Sequence, residues 1–303
     1  MGRRPRRRTG VTPAVVIVFL VVAALAYLTL GPPANPPSDL PPTGEVLTVA
    51  VLDVGQGDSI LVRSPTGQTM VIDAGTGASD ANERIVPRLR QWGVNRITYV
   101  VLTHPDQDHV GGMPALLQAM PAENVAFSGQ VSTNLAYRDF LELVRDKAIS
   151  AIKARRGVTL DLGPDVTAEV LNPPSDLFED DNNNSVVIKL TFGQVSFLLQ
   201  GDAETEAIGS MIGAGLNLSA TVLKVGHHGS SNGTNEALLQ AVNPRYALIS
   251  VGLDNPYGHP HRETLGLLGR WKVAVYRTDQ QGMITVTTDG RDLTVRPARE
   301  RGG

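Results

Sequence analysis

Apolar positions in this chain come mostly in short runs bounded by glycine and polar turns. Val46–Asp53, Ser59–Arg63, Thr69–Asp73 and Ile97–Leu102 each read as strands rich in β-branched residues. Between the third and fourth, apolar residues recur at helical spacing near Glu83–Trp92. The second half repeats this order: strands at Val186–Phe192 and Val195–Leu199, a helix from Glu204, strands at Thr221–Val225 and Tyr246–Val251, and a helix from Glu263. No sequence repeat accompanies the recurrence. Two halves of this kind predict an α/β fold with two sheets face to face and helices outside, a four-layer αββα sandwich.

The N-terminus follows a different pattern. Val11–Leu30 is uncharged and mostly apolar, long enough at about 1.5 Å per residue to cross a bilayer core of roughly 30 Å. Residues 1–10 carry Arg3, Arg4, Arg6, Arg7 and Arg8 and no acid. Arginines stay in the cytoplasm, so this block orients one transmembrane helix with the body of the protein outside. The rival is a cleaved secretory signal, with Ala24-Leu25-Ala26 as a processing site and Pro13 shortening the helix; the product would then be secreted. Residues 31–44 are dominated by proline and form a semi-rigid spacer. The expected organisation is thus a basic tail (1–10), an anchor (11–30), a linker (31–44), one catalytic domain (45–297) and a disordered tail (298–303).

Composition narrows the chemistry. With 303 residues, 42% hydrophobic and 19% charged, the chain can bury a full core. It has no cysteine, which removes disulfides and thiolate ligands. The net charge of −3 includes the basic tail, so the remaining domain is acidic, opposite to the usual nucleic-acid binder. All six histidines fall into three close pairs: 104 and 109, 227 and 228, 259 and 261.

The first pair belongs to Thr103-His104-Pro105-Asp106-Gln107-Asp108-His109, directly after a buried-type strand. Two imidazoles and two carboxylates on one short loop are costly to hold together without a cation. Alternation lets His104 and Asp106 face one ion while Asp108 and His109 face a second, roughly 3.5–4 Å away as in two-metal hydrolases. The opposing reading is a solvated acidic turn. Asp202, after the apolar run Phe197–Leu199, can bridge both cations, or simply cap the helix that begins at Glu204. In Lys224-Val225-Gly226-His227-His228, adjacent side chains of an extended strand point to opposite sides. One histidine should then bind metal; His228 is favoured, leaving His227 to handle protons, and a swap of roles stays open. His259, held between Gly258 and Pro260, can complete the second ion's shell, and His261 either touches substrate or merely faces solvent. Asp73 reads as an acceptor that orients a ligand histidine, or as a turn cap before Gly75. Asp53 and Asp58 are assigned the same supporting role.

These motifs resemble the metallo-β-lactamase superfamily, whose metal-binding loop, later bridging Asp and later His match 103–109, Asp202 and His228 or His259. The resemblance is greatest to the extracytoplasmic metallo-hydrolase domain of ComEC-type DNA-internalisation competence proteins. It is carried by Leu52–Ser59, Val71–Gly75, His104–His109, Gly201-Asp202 and Lys224–Ser230, in order, between about Glu45 and Pro297. The family's second motif histidine is Asp106 here, and no histidine lies between 110 and 226 where its separate middle ligand belongs. The resemblance then implies His228 in that vacant first-ion place and His259 at the second. A carboxylate for an imidazole hardens the first site, so Mn²⁺ competes with Zn²⁺.

Together these readings predict a membrane-anchored, dinuclear metal hydrolase acting on a phosphodiester, either DNA or a small phosphoester, with no protein partner inferable. Two divalent ions would bring water's pKa near neutrality, Asp108 and Asp202 would hold the reacting centre, and Lys224, His227 or His261 would serve the leaving oxygen. The acidic domain weakens a nuclease unless Arg138, Arg145, Arg155 and Arg156 line a groove. Hydrolysis of a carbon-centred ester, lactone or β-lactam is one alternative; a non-catalytic, membrane-tethered binding module is another.

Overall fold

A computed structural model describes residues 46–299. Two mixed sheets form its frame. The first has eight strands in the order β15-β14-β1-β2-β3-β4-β5-β6, and the second seven, in the order β13-β12-β11-β10-β9-β8-β7. In chain order these are β1 (Leu47–Val51), β2 (Ile60–Arg63), β3 (Thr69–Ile72), β4 (Ile97–Leu102), β5 (Ala122–Phe127), β6 (Ser150–Lys153), β7 (Thr159–Asp161), β8 (Val166–Asn172), β9 (Val187–Phe192), β10 (Val195–Leu199), β11 (Val222–Lys224), β12 (Tyr246–Ile249), β13 (Ala274–Arg277), β14 (Ile284–Thr288) and β15 (Leu293–Pro297).

Alternation along the strands assigns three apolar layers. Leu47, Val49 and Val51 of β1 pack with Ile188, Leu190, Phe197 and Leu199 in the core between the sheets. Ala50, Leu61, Val71 and Val100 face outward against Leu89, Leu116 and Phe140. On the far side Leu198, Leu223 and Ala247 meet Ile208, Leu239 and Leu268. Helix, sheet, sheet and helix therefore stack in four layers. The metallo-β-lactamase-type sandwich is present in the described residues.

Each sheet is parallel in one half and antiparallel in the other. The pairs β3–β4, β4–β5 and β5–β6 are parallel, as are β10–β11, β11–β12 and β12–β13. Parallel neighbours require crossovers. Helices at Val86–Gln91, Met113–Ala119 and Leu135–Asp146 supply them for the first sheet; Thr205–Gly213, Glu236–Val242 and Arg262–Arg270 do so for the second. The C-terminal ends of β3, β4, β10, β11 and β12 thus open onto loops free to carry chemistry.

The halves are less separate than the recurring pattern predicts. The C-terminal hairpin β14–β15 returns to the first sheet, where β14 lies antiparallel to β1 with Val286 opposite Val49. Nor does the expected tail begin at 298, because Ala298 N donates to Met283 O and Arg299 N to Gln281 O. Residues 1–10, 11–30 and the linker 31–44 lie outside the described residues. Among the described residues no helix is long and apolar enough to cross a membrane.

Candidate metal centre

The chain's first contribution comes from the ends of β3 and β4. Asp73 follows β3 with φ 58°, a left-handed backbone that swings its carboxylate beneath the β4 loop. Its Oδ1 accepts from Thr103 N at 2.9 Å, and its Oδ2 from Thr103 Oγ1 at 2.6 Å and from His109 Nδ1 at 2.7 Å. After Asp106 the chain turns through the short helix Gln107–Val110, which brings the ring of His109 back to within 4.1 Å of the His104 ring. The turn packs against the 74–77 backbone so closely that a Cβ on Gly111 would collide with the Thr76 carbonyl. Gly57 is constrained likewise from the β1–β2 loop, with φ +136° and the Asp108 carbonyl where a Cβ would sit.

The second sheet supplies the rest. Asp202 lies just past β10, its amide bonded to Ser185 Oγ at 3.1 Å. The helix Thr205–Gly213 has Glu204 at its N-cap position, and Asn183 Oδ1 accepts from Glu204 N and Ala207 N there, so Asp202 is not its cap. Its Oδ2 stands 3.3 Å from His109 Nε2, 3.4 Å from His228 Nε2, 3.8 Å from His227 Nε2 and 4.0 Å from His104 Nε2. One carboxylate oxygen is surrounded by four imidazoles. His228 Nε2 also approaches Asp108 Oδ2 at 3.2 Å.

Hydrogen bonding fixes which nitrogen each ring offers. His109 gives its Nδ1 hydrogen to Asp73, His228 gives its own to Ser250 O at 3.0 Å, and His104 Nδ1 lies 3.1 Å from Thr103 Oγ1, already committed as a donor to Asp73. In the neutral form of each ring the lone pair is therefore on Nε2. His104 Nε2, His109 Nε2, His228 Nε2 and Asp202 Oδ1 are all buried without a hydrogen-bond partner. Buried polar atoms are rarely left so, and here four of them converge. His104, His109 and Asp202 bring one donor each within 4.8 Å of one another, as do Asp108, His109 and His228. This donor set of imidazole nitrogens and carboxylate oxygens fits borderline or hard divalent cations.

Charge balance reflects the same arrangement. Burial depresses the His109 imidazolium, but Asp202, Asp73 and Asp108 outweigh it and raise its pKa well above the usual value. Burial acts likewise on His228, yet Asp202, Asp108 and Asp58 push it to about 10. Burial raises Asp202, and His228 and His109 reverse this to hold it well below the carboxylate range. Asp108 is carried to about 2 by His109 and His228 against burial. The acidic surroundings thus favour positive charge at His109 and His228, the place where the donor set would hold a cation.

Other assigned residues are placed differently. The strand argument for the His227–His228 pair does not apply, because β11 ends at Lys224 and His227–Gly229 form a tight turn with both histidines at positive φ (47° and 51°). The turn sends His228 inward and buried, whereas His227 keeps a quarter of its side chain exposed and binds Glu204 Oε1 through Nδ1 at 2.7 Å. His228 keeps company with Asp108 and His109, not with His104 and Asp106, so the vacant first-ion place implied by resemblance is not where it sits. His259 lies at the edge, its ring 5.4 Å from that of His227 and 6.3 Å from that of His228, with Nδ1 buried and unpartnered. Burial, then the neighbouring His227, His228 and His261, lower it to about 4. Asp106 is half exposed at the rim, its Oδ2 3.6 Å from His104 Nε2, and hydrogen bonding to His104 lowers its pKa.

Two assignments need correction, Lys224 and Asp53, and His261, left open by the sequence, is placed by its loop contacts. Lys224 is fully buried, 2.8 Å from Asp58 Oδ2 and donating to Val225 O, so its ammonium is closed off from any leaving group. Asp53 points away from the metal donors and accepts from Gly55 N and Arg299 Nη2. His261 accepts from Ser231 N through Nδ1 at 3.1 Å and leaves Nε2 3.3 Å from Tyr257 O, which fixes loop geometry. The four-arginine groove does not form either. Arg138 and Arg145 pair with Asp139 and Asp146, while Arg155 donates to Ser128 O and Arg156 to Leu171 O and Ser210 Oγ. Asp58, by contrast, does reach the site, with Oδ1 3.5 Å from His228 Nδ1. Thr103, Ser185, Ser250 and Glu204 take supporting roles that residue type alone does not announce.

Comparison with known proteins matches the same region. The family model of the metallo-β-lactamase superfamily fits residues 52–252. ComE operon protein 3 of Bacillus subtilis is 31% identical over 304 residues, covering 90% of this chain and 39% of that protein. Recombination protein 2 of Haemophilus influenzae is 33% identical, with 86% and 31% coverage. The chain therefore spans well under half the length of these relatives. Among solved structures, CmlA, a diiron β-hydroxylase from Streptomyces venezuelae, superposes with a TM-score of 0.52 at 14% identity over 81% of this chain and 55% of its own. Zn²⁺-bound PqqB from Methylobacterium extorquens gives 0.51 at 12%, over 75% and 97%. At those identities the likeness is one of fold. With its fold, its paired histidine and aspartate groups and the match across 52–252, the chain belongs to the metallo-β-lactamase superfamily, and its sequence relatives there are ComEC-like competence proteins.

Proposed function

We propose that this chain is a metal-dependent phosphodiesterase, held outside the cytoplasm by an N-terminal anchor at residues 11–30. The observation that carries the catalytic part is Asp202 Oδ2 lying within 3.3–4.0 Å of four imidazole Nε2 atoms, three of them buried and unpartnered. Two divalent cations, Zn²⁺ or Mn²⁺, would be held by His104, Asp106 and Asp202 on one side and by Asp108, His109 and His228 on the other, with Asp202 shared. When bound, such ions polarise phosphoryl oxygens and lower the pKa of water.

The chain's own groups do the remaining work. Asp73, Ser250 and Thr103 hold the ligand rings in one tautomer, so their lone pairs stay aimed without rearrangement. Glu204 orients His227, whose Nε2 sits near Asp202 and is accessible enough to give or take a proton at the leaving oxygen. Asp106 at a rim position hardens the donor set, which supports phosphoryl over β-lactam chemistry. That its sequence relatives include a recombination protein and a competence protein supports DNA as the phosphodiester.

The test uses the full-length chain in detergent. It should bind close to two divalent ions and hydrolyse bis-p-nitrophenyl phosphate with Mn²⁺ or Zn²⁺, and Asp108→Ala or Asp202→Ala should abolish turnover with the circular dichroism unchanged. Undiminished turnover in either variant, or turnover of a β-lactam in preference to every phosphodiester, defeats this reading.

A further inference from the structure

The large hydrophobic side chains left exposed among the described residues are Val131, Leu135, Leu177, Leu253 and Tyr257. Four of the five, Leu135, Leu177, Leu253 and Tyr257, lie on segments bonded to the site. Asn134, beside Leu135, reaches Gln107 of the metal-binding loop. Asn182, on the loop of Leu177, bonds Glu204, the partner of His227. Leu253 and Tyr257 flank Asn255, which bonds both the amide and the carbonyl of His259. Exposed apolar groups gathered beside one polar site mark a binding surface.

Tyr257 has the most definite geometry. Its ring lies 5.6 Å from that of His259 with the planes only 24° apart, a stacked pair, and it remains 63% exposed. The loop beneath is already ordered: Asn255 also bonds Gly252 O, and His261 bridges Tyr257 O to Ser231 N. A rigid aromatic ring, stacked on one side and open to solvent beside it, is a platform for a second planar group. Arg155 and Arg156 are committed to carbonyls and a serine, and Arg138 and Arg145 pair with neighbouring acids, so the four do not form one groove along a phosphate backbone. Stacking of a base would add affinity that these four arginines do not supply.

We infer that Tyr257, with Leu253 beside it, is the subsite for an unpaired nucleobase next to the scissile phosphodiester, which selects a single-stranded end over a duplex. This rests on the phosphodiesterase reading. Base stacking on an aromatic side chain tolerates any sequence, and requires the base to be free of its partner.

The experiment compares thymidine 5′-(p-nitrophenyl phosphate) with methyl p-nitrophenyl phosphate, which share a leaving group and differ in the nucleoside, so the Tyr257 variants assign any preference to the base. The full-length chain with Mn²⁺ should prefer the thymidine ester by about 10-fold in kcat/KM, carried by KM, as loss of one stacked base predicts. Tyr257→Ala should bring the two esters level, and Tyr257→Phe should keep the preference. A preference that survives Tyr257→Ala overturns the subsite. A binding arm with Ca²⁺ and fluorescein-labelled oligothymidylate separates this from the chemistry. The parent should bind the single strand about 5-fold or more tighter than the matching duplex, and Tyr257→Ala should lose that margin. If neither ester is turned over while Tyr257 still sets single-strand binding, the subsite stands and the hydrolase reading falls; equal binding by parent and variant removes the subsite whatever the turnover.

Discussion

Asp73 Oδ2 accepts the Nδ1 hydrogen of His109 across 2.7 Å while both are fully buried, and this one bond decides which face of the imidazole the metal site receives. Asp73 is itself held by the amide and hydroxyl of Thr103, so ring, carboxylate and β4 loop form one unit. Asp73→Ala loosens the ring and leaves Nδ1 only the longer contact to Thr103 Oγ1 at 3.4 Å. Partners of this kind typically hold 10–100-fold in metal affinity, so a loss of about that size is expected, measured by competition against a chromophoric chelator. An unchanged affinity would show that His109 is oriented by other means.

Lys224 and Asp58 join the two sheets beneath the site, one from β11 and the other from the loop after β1, at 2.8 Å and almost wholly out of solvent. Removing one member of a buried pair strands the other's charge, at a cost of about 3–5 kcal/mol. Lys224→Met should therefore lower the urea midpoint sharply, and the double variant Lys224→Met with Asp58→Leu should recover much of the loss. Were Lys224 instead serving the leaving group, Lys224→Met would cost kcat and leave the midpoint in place.

The sandwich was legible because its central strands are buried on both faces. Val100, Val101 and Leu102 form a continuous apolar run that only a strand between two layers explains. The edges were not. In β6 the residues Ser150 and Ala151 are exposed, and in β7 Thr159 and Asp161 flank a single buried Leu160, so the pattern carries too little signal to separate strand from loop. The metal loop was legible from residue type, since histidine and aspartate crowd it. The fates of Asp53 and Lys224 were not, because neither residue type nor spacing reveals whether a side chain at a strand end turns toward the mouth or across to the other sheet. His227 and His228 show the same limit: strand alternation separates them, but it is a turn with positive φ that does so here.

The two histidines of that turn make a direct test. His228 Nε2 is buried among Asp202 and Asp108, whereas His227 keeps Nδ1 on Glu204 and stays partly exposed. His228→Ala should thus lose about one of the two bound ions, counted by inductively coupled plasma mass spectrometry. His227→Ala should keep both and lower kcat by about 10²–10⁴-fold, the usual range for a proton-transfer group. The reverse pattern of metal loss would exchange their roles.

The pH dependence of stability should change character with metal. Without metal, Asp202 and then Asp108 raise His228 to about 10 against burial, and His109 and then His228 lower Asp108 to about 2 against burial. A raised histidine stabilises the fold fully below its unfolded value of about 6.5 and loses that contribution as pH climbs toward its folded value. A lowered aspartate contributes fully above its unfolded value of about 3.9 and loses it as pH falls toward the folded one. The EDTA-treated chain should accordingly show its highest Tm between about pH 4 and 6.5 and a steady decline from there to pH 9. With metal bound the imidazoles are already neutral, so the alkaline decline should vanish and the loss should move to the acid side, where protons displace the ions. Thermal scans of both forms at matched ionic strength decide this, and a Tm of the EDTA-treated chain that rises from pH 6.5 to 9 contradicts it.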